Sequence, residues 1–189
     1  MTPKLFQAAD NNQLDLFTAL ESTLNRSKYR FHLIAEEKNI LVVPRSHPLN
    51  QAYGNCQIPL IPGERCQLDY NRATALPLSI FKEEKFMFSS PSQDLNIFSQ
   101  TIFSNAGCTP NVILTTKNIE SLYAMTLAGL GLSFIPSTYI THANLKNHAV
   151  YYLLDDPSIT RRFGIAYRKN HPPSNVSGKF ISLLKKQFR

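Results

Sequence analysis

At 189 residues and 43% apolar content, the chain can fill one compact domain or two small lobes. No stretch approaches the roughly 18 consecutive apolar residues of a membrane-spanning helix, and Met1 to Asp10 lack the charged and then apolar regions of a secretion signal, which points to the cytoplasm. The net charge of +7 gathers at one end: the last acidic residue is Asp156, and Arg161, Arg162, Arg168, Lys169, Lys179, Lys185, Lys186 and Arg189 beyond it supply eight positive charges, more than the whole excess.

In chain order, Gln13 to Ala19 (QLDLFTA) and His32 to Val43, which ends in ILVV before Pro44, read as strands. Residues 50–80 scatter Pro59, Pro62 and Gly63 among polar residues, and an extended surface loop is expected there rather than a core element. Lys85 to Phe88 is a short apolar strand, after which Ser89, Ser90, Pro91 and Ser92 supply cap chemistry and a proline for a first helical turn. The helix that follows places Leu95, Phe98 and Ile102 at helical spacing and stops at Asn105, Ala106 and Gly107. Val112 to Leu114 reads as a strand. Asn118 is a good N-cap for the next helix, whose Ile119, Leu122, Tyr123, Leu127 and Leu130 form one buried stripe, with Gly129 and Gly131 as its stop. Leu132 to Ile135 then forms an apolar strand that Pro136 terminates. Residues 85–136 thus read as βαβαβ, and the right-handed crossovers of such a unit require parallel strands with helices against them. Val150 to Leu154 and Phe163 to Arg168 are further strands, and a last helix from about Ser174 carries Val176, Phe180, Leu183, Leu184 and Phe188 on one face.

Three segments, ILVVPRSHPL at Ile40 to Leu49, FSNAGCTPNV at Phe103 to Val112 and IESLYAMTLAGLGLSFIPST at Ile119 to Thr138, together resemble the effector-binding domain of LysR-type transcriptional regulators. The tail, DDPSITRRFGIAYRKN at Asp155 to Asn170 and a helix ending FISLLKK, resembles that family's closing segment. The likeness covers nearly the whole chain apart from the irregular stretch between Leu49 and Phe81, which is longer than usual. It implies an α/β, two-lobed periplasmic-binding-protein-like fold of type 2 with parallel-rich sheets. Ile40 to Pro44 and Phe163 to Arg168 would be the crossing strands, residues 1–39 with 164–189 the first lobe, and residues 40–163 the second. It also implies a cytoplasmic dimer or higher oligomer that senses a small effector held in a cleft, with DNA contacted only through a winged helix-turn-helix. That element, a linker helix and the first strand-helix-strand are not found before QLDLF, so Met1 reads as starting inside the first lobe's second helix and that lobe is expected to be incomplete.

In open parallel sheets, ligands sit beyond the carboxyl ends of strands, where helix N-termini converge. Ser89, Ser90 and Ser92 after one strand, and Thr116 and Asn118 after the next, offer hydroxyls and backbone N–H groups suited to a carboxylate or other anion. Plain helix capping would select the same residues without a ligand. Thr18 follows the QLDLF strand and is the candidate contact from the first lobe, or else a surface turn residue.

Other chemistry finds little support. Cys56, Cys66 and Cys108 make neither a metal pair nor an even-numbered framework, and His142 with His148 matches no trusted ligand spacing. Gly129 and Gly131 follow a helix, not a strand, and Ser133 lies inside a strand, so neither a dinucleotide loop nor a nucleophile elbow is present. The acidic pairs Glu36–Glu37, Glu83–Glu84 and Asp155–Asp156 are adjacent in sequence and read as solvated turns. No enzyme, metal or cofactor is expected. The basic tail reads as a solvated face, since no aromatic interleaving accompanies it. A stand-alone solute-binding protein and a ligand-free interaction module, dimerising through its sheet edge, are the competing readings.

Overall fold

A computed structural model describes residues 3–61, 63, 66–143 and 148–187. Pro62 and Phe188, named above, lie outside the described residues. Helix α1 (Pro3–Asp10) and strand β1 (Phe17–Leu20) come first, then the 16-residue strand β2 (Tyr29–Pro44). Helix α2 (Leu49–Ala52) and the short strands β3 (Leu60–Ile61) and β4 (Gln67–Leu68) follow. The order continues with β5 (Lys85–Ser89), α3 (Asp94–Asn105), β6 (Asn111–Thr116), α4 (Ile119–Leu127), β7 (Leu132–Pro136) and α5 (Ser137–His142). Strands β8 (Ala149–Tyr152) and β9 (Thr160–Arg168) and helix α6 (Asn175–Gln187) complete it. The chain divides into two compact units, Met1–Glu37 with Thr160–Arg189 and Lys38–Ile159, so that it passes between them inside β2 and again just before β9.

The unit Lys38–Ile159 is the larger. Strand β5 runs parallel to both β6 and β7, as the βαβαβ pattern requires, and β7 and β8 flank β2 in antiparallel register. Successive residues of a strand face opposite sides of the sheet, so each helix finds its own set of side chains. On one side, Phe98 and Phe103 of α3 pack edge-on against Phe134 and Phe86, with ring centroids 5.2 and 4.9 Å apart. On the other, Thr126 of α4 bonds Ser133 of β7 through their hydroxyls at 2.7 Å. The buried Tyr123 and Tyr151 hydroxyls share a hydrogen bond of 2.8 Å. Burial pushes both phenols above their ordinary value. Strand β6 is the sheet's edge, and its uncharged Val112, Ile113 and Leu114 are all exposed.

The unit Met1–Glu37 with Thr160–Arg189 has β9 between β1 and the first half of β2. Phe6, Phe17 and Tyr29 form a mutual aromatic cluster with centroids 5.3 to 5.8 Å apart. Arg161 and Glu37 pair across β9 and β2, and Arg162 reaches both Glu21 and Glu36. At Gly164 a Cβ would lie 2.2 Å from the His32 carbonyl oxygen and 2.6 Å from the Phe31 ring, so only glycine lets β9 approach β2 this closely.

Several expectations from the sequence need correction. The strand read at Gln13 begins at Phe17, because Asn12 takes a left-handed φ of 58° and Gln13 donates back to Ala8 to close α1. Residues 50–80 are not a detached surface loop: Gln57 and Leu76 bridge to Tyr152 and Leu154, and Ile58, Leu76 and Leu78 are buried in the core. The stripe assigned to α4 is shorter than read. The helix ends at Leu127, Gly129 reverses the chain at φ 80°, and Leu127 and Leu130 are exposed while Thr126 is buried. On α6, Val176, Phe180 and Leu183 face solvent, and Ile181 is the side chain buried against the unit.

Candidate functional site

The parallel register sets Ser89 of β5 opposite Thr116 of β6, which brings the two candidate clusters to one end of the sheet. Ser90 fastens that end by donating its N–H to the Thr116 carbonyl at 2.9 Å, and Gln93 spans the gap with its amide on the Lys117 carbonyl, also at 2.9 Å. Helix α3 begins at Asp94 with Gln93 as its N-cap and no side-chain cap bond. The serines therefore do not cap it: Ser89 still belongs to β5, while Ser90 accepts from Gln93 N–H across a turn that contains Pro91 and the exposed Ser92. Pro91 stands in that turn, where its fixed φ fits equally well, rather than in the first helical turn.

Thr116 and Asn118 have structural partners already. The Asn118 side-chain Oδ1 accepts from the Glu120 N–H at 2.8 Å and the Ser121 N–H at 3.4 Å, an N-cap on α4, and Thr116 Oγ1 accepts from the Asn118 N–H at 3.2 Å. Thr18 lies within β1, in register with Ile165, and is exposed in the other unit. The structure thus brings Ser89, Ser90, Thr116 and Asn118 together, with Ser92 on the adjoining turn.

Two side chains at these strand ends stand out. The Ser89 hydroxyl, in a residue 5% exposed, has no hydrogen-bond partner among the described residues. The same holds for both amide atoms of Asn39, 1% exposed, which pairs with Pro136 at the end of β7. Leaving such groups unsatisfied costs about 1–3 kcal/mol each, which native proteins seldom tolerate without a reason. Sequence reasoning missed Asn39; the available signal was an amide placed directly before the apolar run ILVV. Two neighbours of Ser89 and Asn39 are fully engaged. Asn96 donates to the Ser89 carbonyl at 2.6 Å, and Ser137 Oγ accepts from the Lys38 N–H at 3.0 Å.

The electrostatics are mixed. Backbone N–H groups at the starts of α3 and α4 favour an anion, while Asp94 and Glu120 in those first turns offset part of that preference. No cluster of His, Cys, Asp or Glu among the described residues is placed to hold a metal ion. A cavity of about 530 Å³ lies elsewhere in the same unit, between residues of the 45–72 segment and β8.

The protein-family model described as the LysR substrate binding domain matches residues 1–189. No curated relative matches the sequence. Among solved structures, the chain is similar to the Synechocystis PCC6803 CcmR regulatory domain in complex with 2-PG, at 16% identity and a TM-score of 0.75, covering 98% of this chain and 79% of that one. It is similar to the BenM effector binding domain with its effector benzoate, at 20% identity and a TM-score of 0.72, covering 100% and 76%. A reduced form of OxyR from N. meningitidis gives 15% identity and a TM-score of 0.71, covering 100% and 78%. At these identities the structures speak for the fold, a mixed-sheet α/β arrangement of periplasmic-binding-protein type, while the family model spans the entire sequence. The chain belongs to the LysR substrate binding domain family and is an effector-binding domain of that kind.

Proposed function

We propose that the carboxyl ends of β5, β6 and β7 in the larger unit bind a small carboxylate, and that binding shifts the domain between conformations read out by a regulator's DNA-binding part. The observation that carries this reading is the buried, unpartnered hydroxyl of Ser89, with the orphaned amide of Asn39 at the neighbouring strand end. A carboxylate accepts from both a hydroxyl and an amide N–H, and so removes two desolvation costs at once. Ser90, Ser92, Thr116 and Asn118 frame the same end, and the positive end of the α3 dipole adds to its preference for an anion. Because Asp94 and Glu120 stand nearby, hydrogen bonds rather than net charge select the ligand, which favours a monocarboxylate over a dianion. The similar domains include ones bound to 2-PG, to shikimate and to benzoate, all acidic molecules.

A thermal-shift and calorimetric panel of benzoate, shikimate and 2-PG tests the reading. A binder should stabilise the chain, and Ser89→Ala and Asn39→Ala should weaken it at least tenfold without unfolding the domain. Unchanged affinity in both variants would remove the assignment.

Self-association is the second reading, favoured by the exposed, uncharged edge strand β6. Six residues of open backbone with apolar side chains on both faces suit antiparallel pairing with the same strand of a second copy, which would make a homodimer. Sedimentation of wild type and Ile113→Lys decides it: a dimer that persists in the lysine variant rules out β6 as its seam.

A further inference from the structure

A cavity of about 530 Å³ stands in the larger unit, away from the serines and Asn118. Its wall is the segment that the sequence presents as irregular, and the fold holds it firmly. Ile58 donates its N–H to the Tyr151 carbonyl at 2.8 Å, extending the outer edge of β8. Asn50 is pinned from three directions: its amide donates to the Pro44 carbonyl at 2.8 Å, its carbonyl oxygen accepts from the Tyr152 hydroxyl at 3.0 Å, and its backbone carbonyl accepts from Gln57. The Asp69 N–H on the Pro59 carbonyl at 2.9 Å closes the β3–β4 hairpin, and the short helical turn starting at Tyr70 then delivers Arg72 to the rim.

The lining is chemically one-sided. Arg45 and Arg72 both face the cavity, Asn55 adds an amide, and Ile58, Leu60 and Val150 give an apolar floor. No Asp or Glu lines it among the described residues, and Arg72 has no ion-pair partner among them. The strand-end site contrasts with it, having hydroxyls, an amide and first-turn carboxylates but no guanidinium. A volume of this size matches the range in which small-molecule sites fall, and guanidinium forks match the planar oxygens of carboxylates and phosphates.

We propose that this cavity binds a small organic anion, a carboxylate or phosphate on a short apolar frame, at a site independent of the strand-end one. The two arginines grip the anionic head and Ile58, Leu60 and Val150 pack against the frame. Phosphate and carboxylate heads share this chemistry, so the test carries both.

The whole chain, labelled with 15N, is titrated with benzoate, phenyl phosphate and benzyl alcohol while backbone amide and arginine Nε–H signals are followed. Both anions are expected to shift Arg72 Nε–H and the amides of Asn55, Leu60 and Val150, the tighter of the two naming the preferred head group, and benzyl alcohol to shift none of them. Arg72→Gln and Arg45→Gln should each weaken anion binding at least tenfold, and Arg72→Lys, which keeps the charge but loses the fork, should fall between. Arg72 is exposed, so the thermal midpoints of its two variants should match wild type. Equal affinity in wild type and both glutamine variants, or equal binding of benzyl alcohol, overturns the proposal. Shifts confined to Ser89, Ser90, Thr116 and Asn118 overturn it too, while supporting the strand-end site. Shifts confined to the cavity do the reverse.

Discussion

The two units hold themselves together by different means. In Lys38–Ile159, a continuous apolar core runs from Ile40 through Phe86, Phe103 and Phe134 to Tyr152, every one of them at most 1% exposed. Among the described residues of the other unit, the buried cluster is the smaller set Ala9, Phe17, Ala19, Leu24, Tyr29 and Ala166, with Leu5, Phe6, Leu14 and Phe31 packed against it, and charge fills in around it. Asp10 takes hydrogen bonds from both Lys28 and Tyr29, which hold its carboxyl below the ordinary value. Arg168 donates to the Asp10 carbonyl, and Glu21 accepts both Arg26 and Arg162. A core of buried rings loses little in salt and much on truncation, whereas exposed ion pairs contribute about 0–1 kcal/mol each and are screened. The smaller unit should therefore open first.

The largest test of that contrast is Phe86→Ala, which empties the centre of the aromatic cluster and should cost about 3–5 kcal/mol in urea denaturation. Amide exchange should then rise throughout β5, β6 and β7 and remain unchanged in β1; equal loosening of both units would break the comparison. Next comes Gly164→Ala. A methyl group there meets both the His32 backbone carbonyl and the Phe31 ring, and a loss of about 1–3 kcal/mol is expected, read as faster exchange in β1 and β9. Asn118→Ala removes the cap on α4 and should lower the urea midpoint by the equivalent of about 1 kcal/mol. If it also abolishes carboxylate binding while Asn118→Ser, another capping residue, restores it, the cap and not the amide is what the site needs.

Acid in the histidine range should produce the smallest effect, through His32 of the smaller unit. Burial, then Lys185 and Arg30, lower the pKa of His32, whose neutral ring accepts from Lys185 at 3.2 Å. The folded form therefore resists protonation more than the unfolded chain. Its contribution is whole above the unfolded histidine pKa of about 6.5 and drains away as pH falls through that value towards the lowered one. The urea midpoint should drop between about pH 7.5 and 5.5 in wild type, and His32→Gln should flatten that slope.

Much of the larger unit was legible because its signals are local. The apolar run Lys85–Phe88, the Asn118 cap and the run before Pro136 each depend on neighbours within a few residues, and they yield the parallel unit with its boundaries shifted by one to three positions. Residues 50–80 were misread because their order comes from distant partners: nothing near Gln57 announces that Tyr152 will bridge to it. The exposed face of α6 was misread for a related reason, since helical spacing names a face but not what lies against it. At the candidate site, the strand-end serines and Asn118 followed from general rules about parallel sheets. Asn39 did not, because a buried amide without a partner is a property of packing.

The paired hydroxyls of Tyr123 and Tyr151 have an optical consequence. The chain has eight tyrosines and no tryptophan, so the long-wavelength part of its near-ultraviolet signal belongs to phenols. Tyr29 and Tyr167 are the only ones in the smaller unit, and burial followed by the bond to Asp10 pushes Tyr29 up to about 12. In an alkaline titration watched by difference absorbance, Tyr29 in one unit and the Tyr123–Tyr151 pair in the other should all ionise later than an ordinary phenol. The protein thus carries a separate built-in chromophore for each unit, and the order in which the units come apart can be followed without attaching a label.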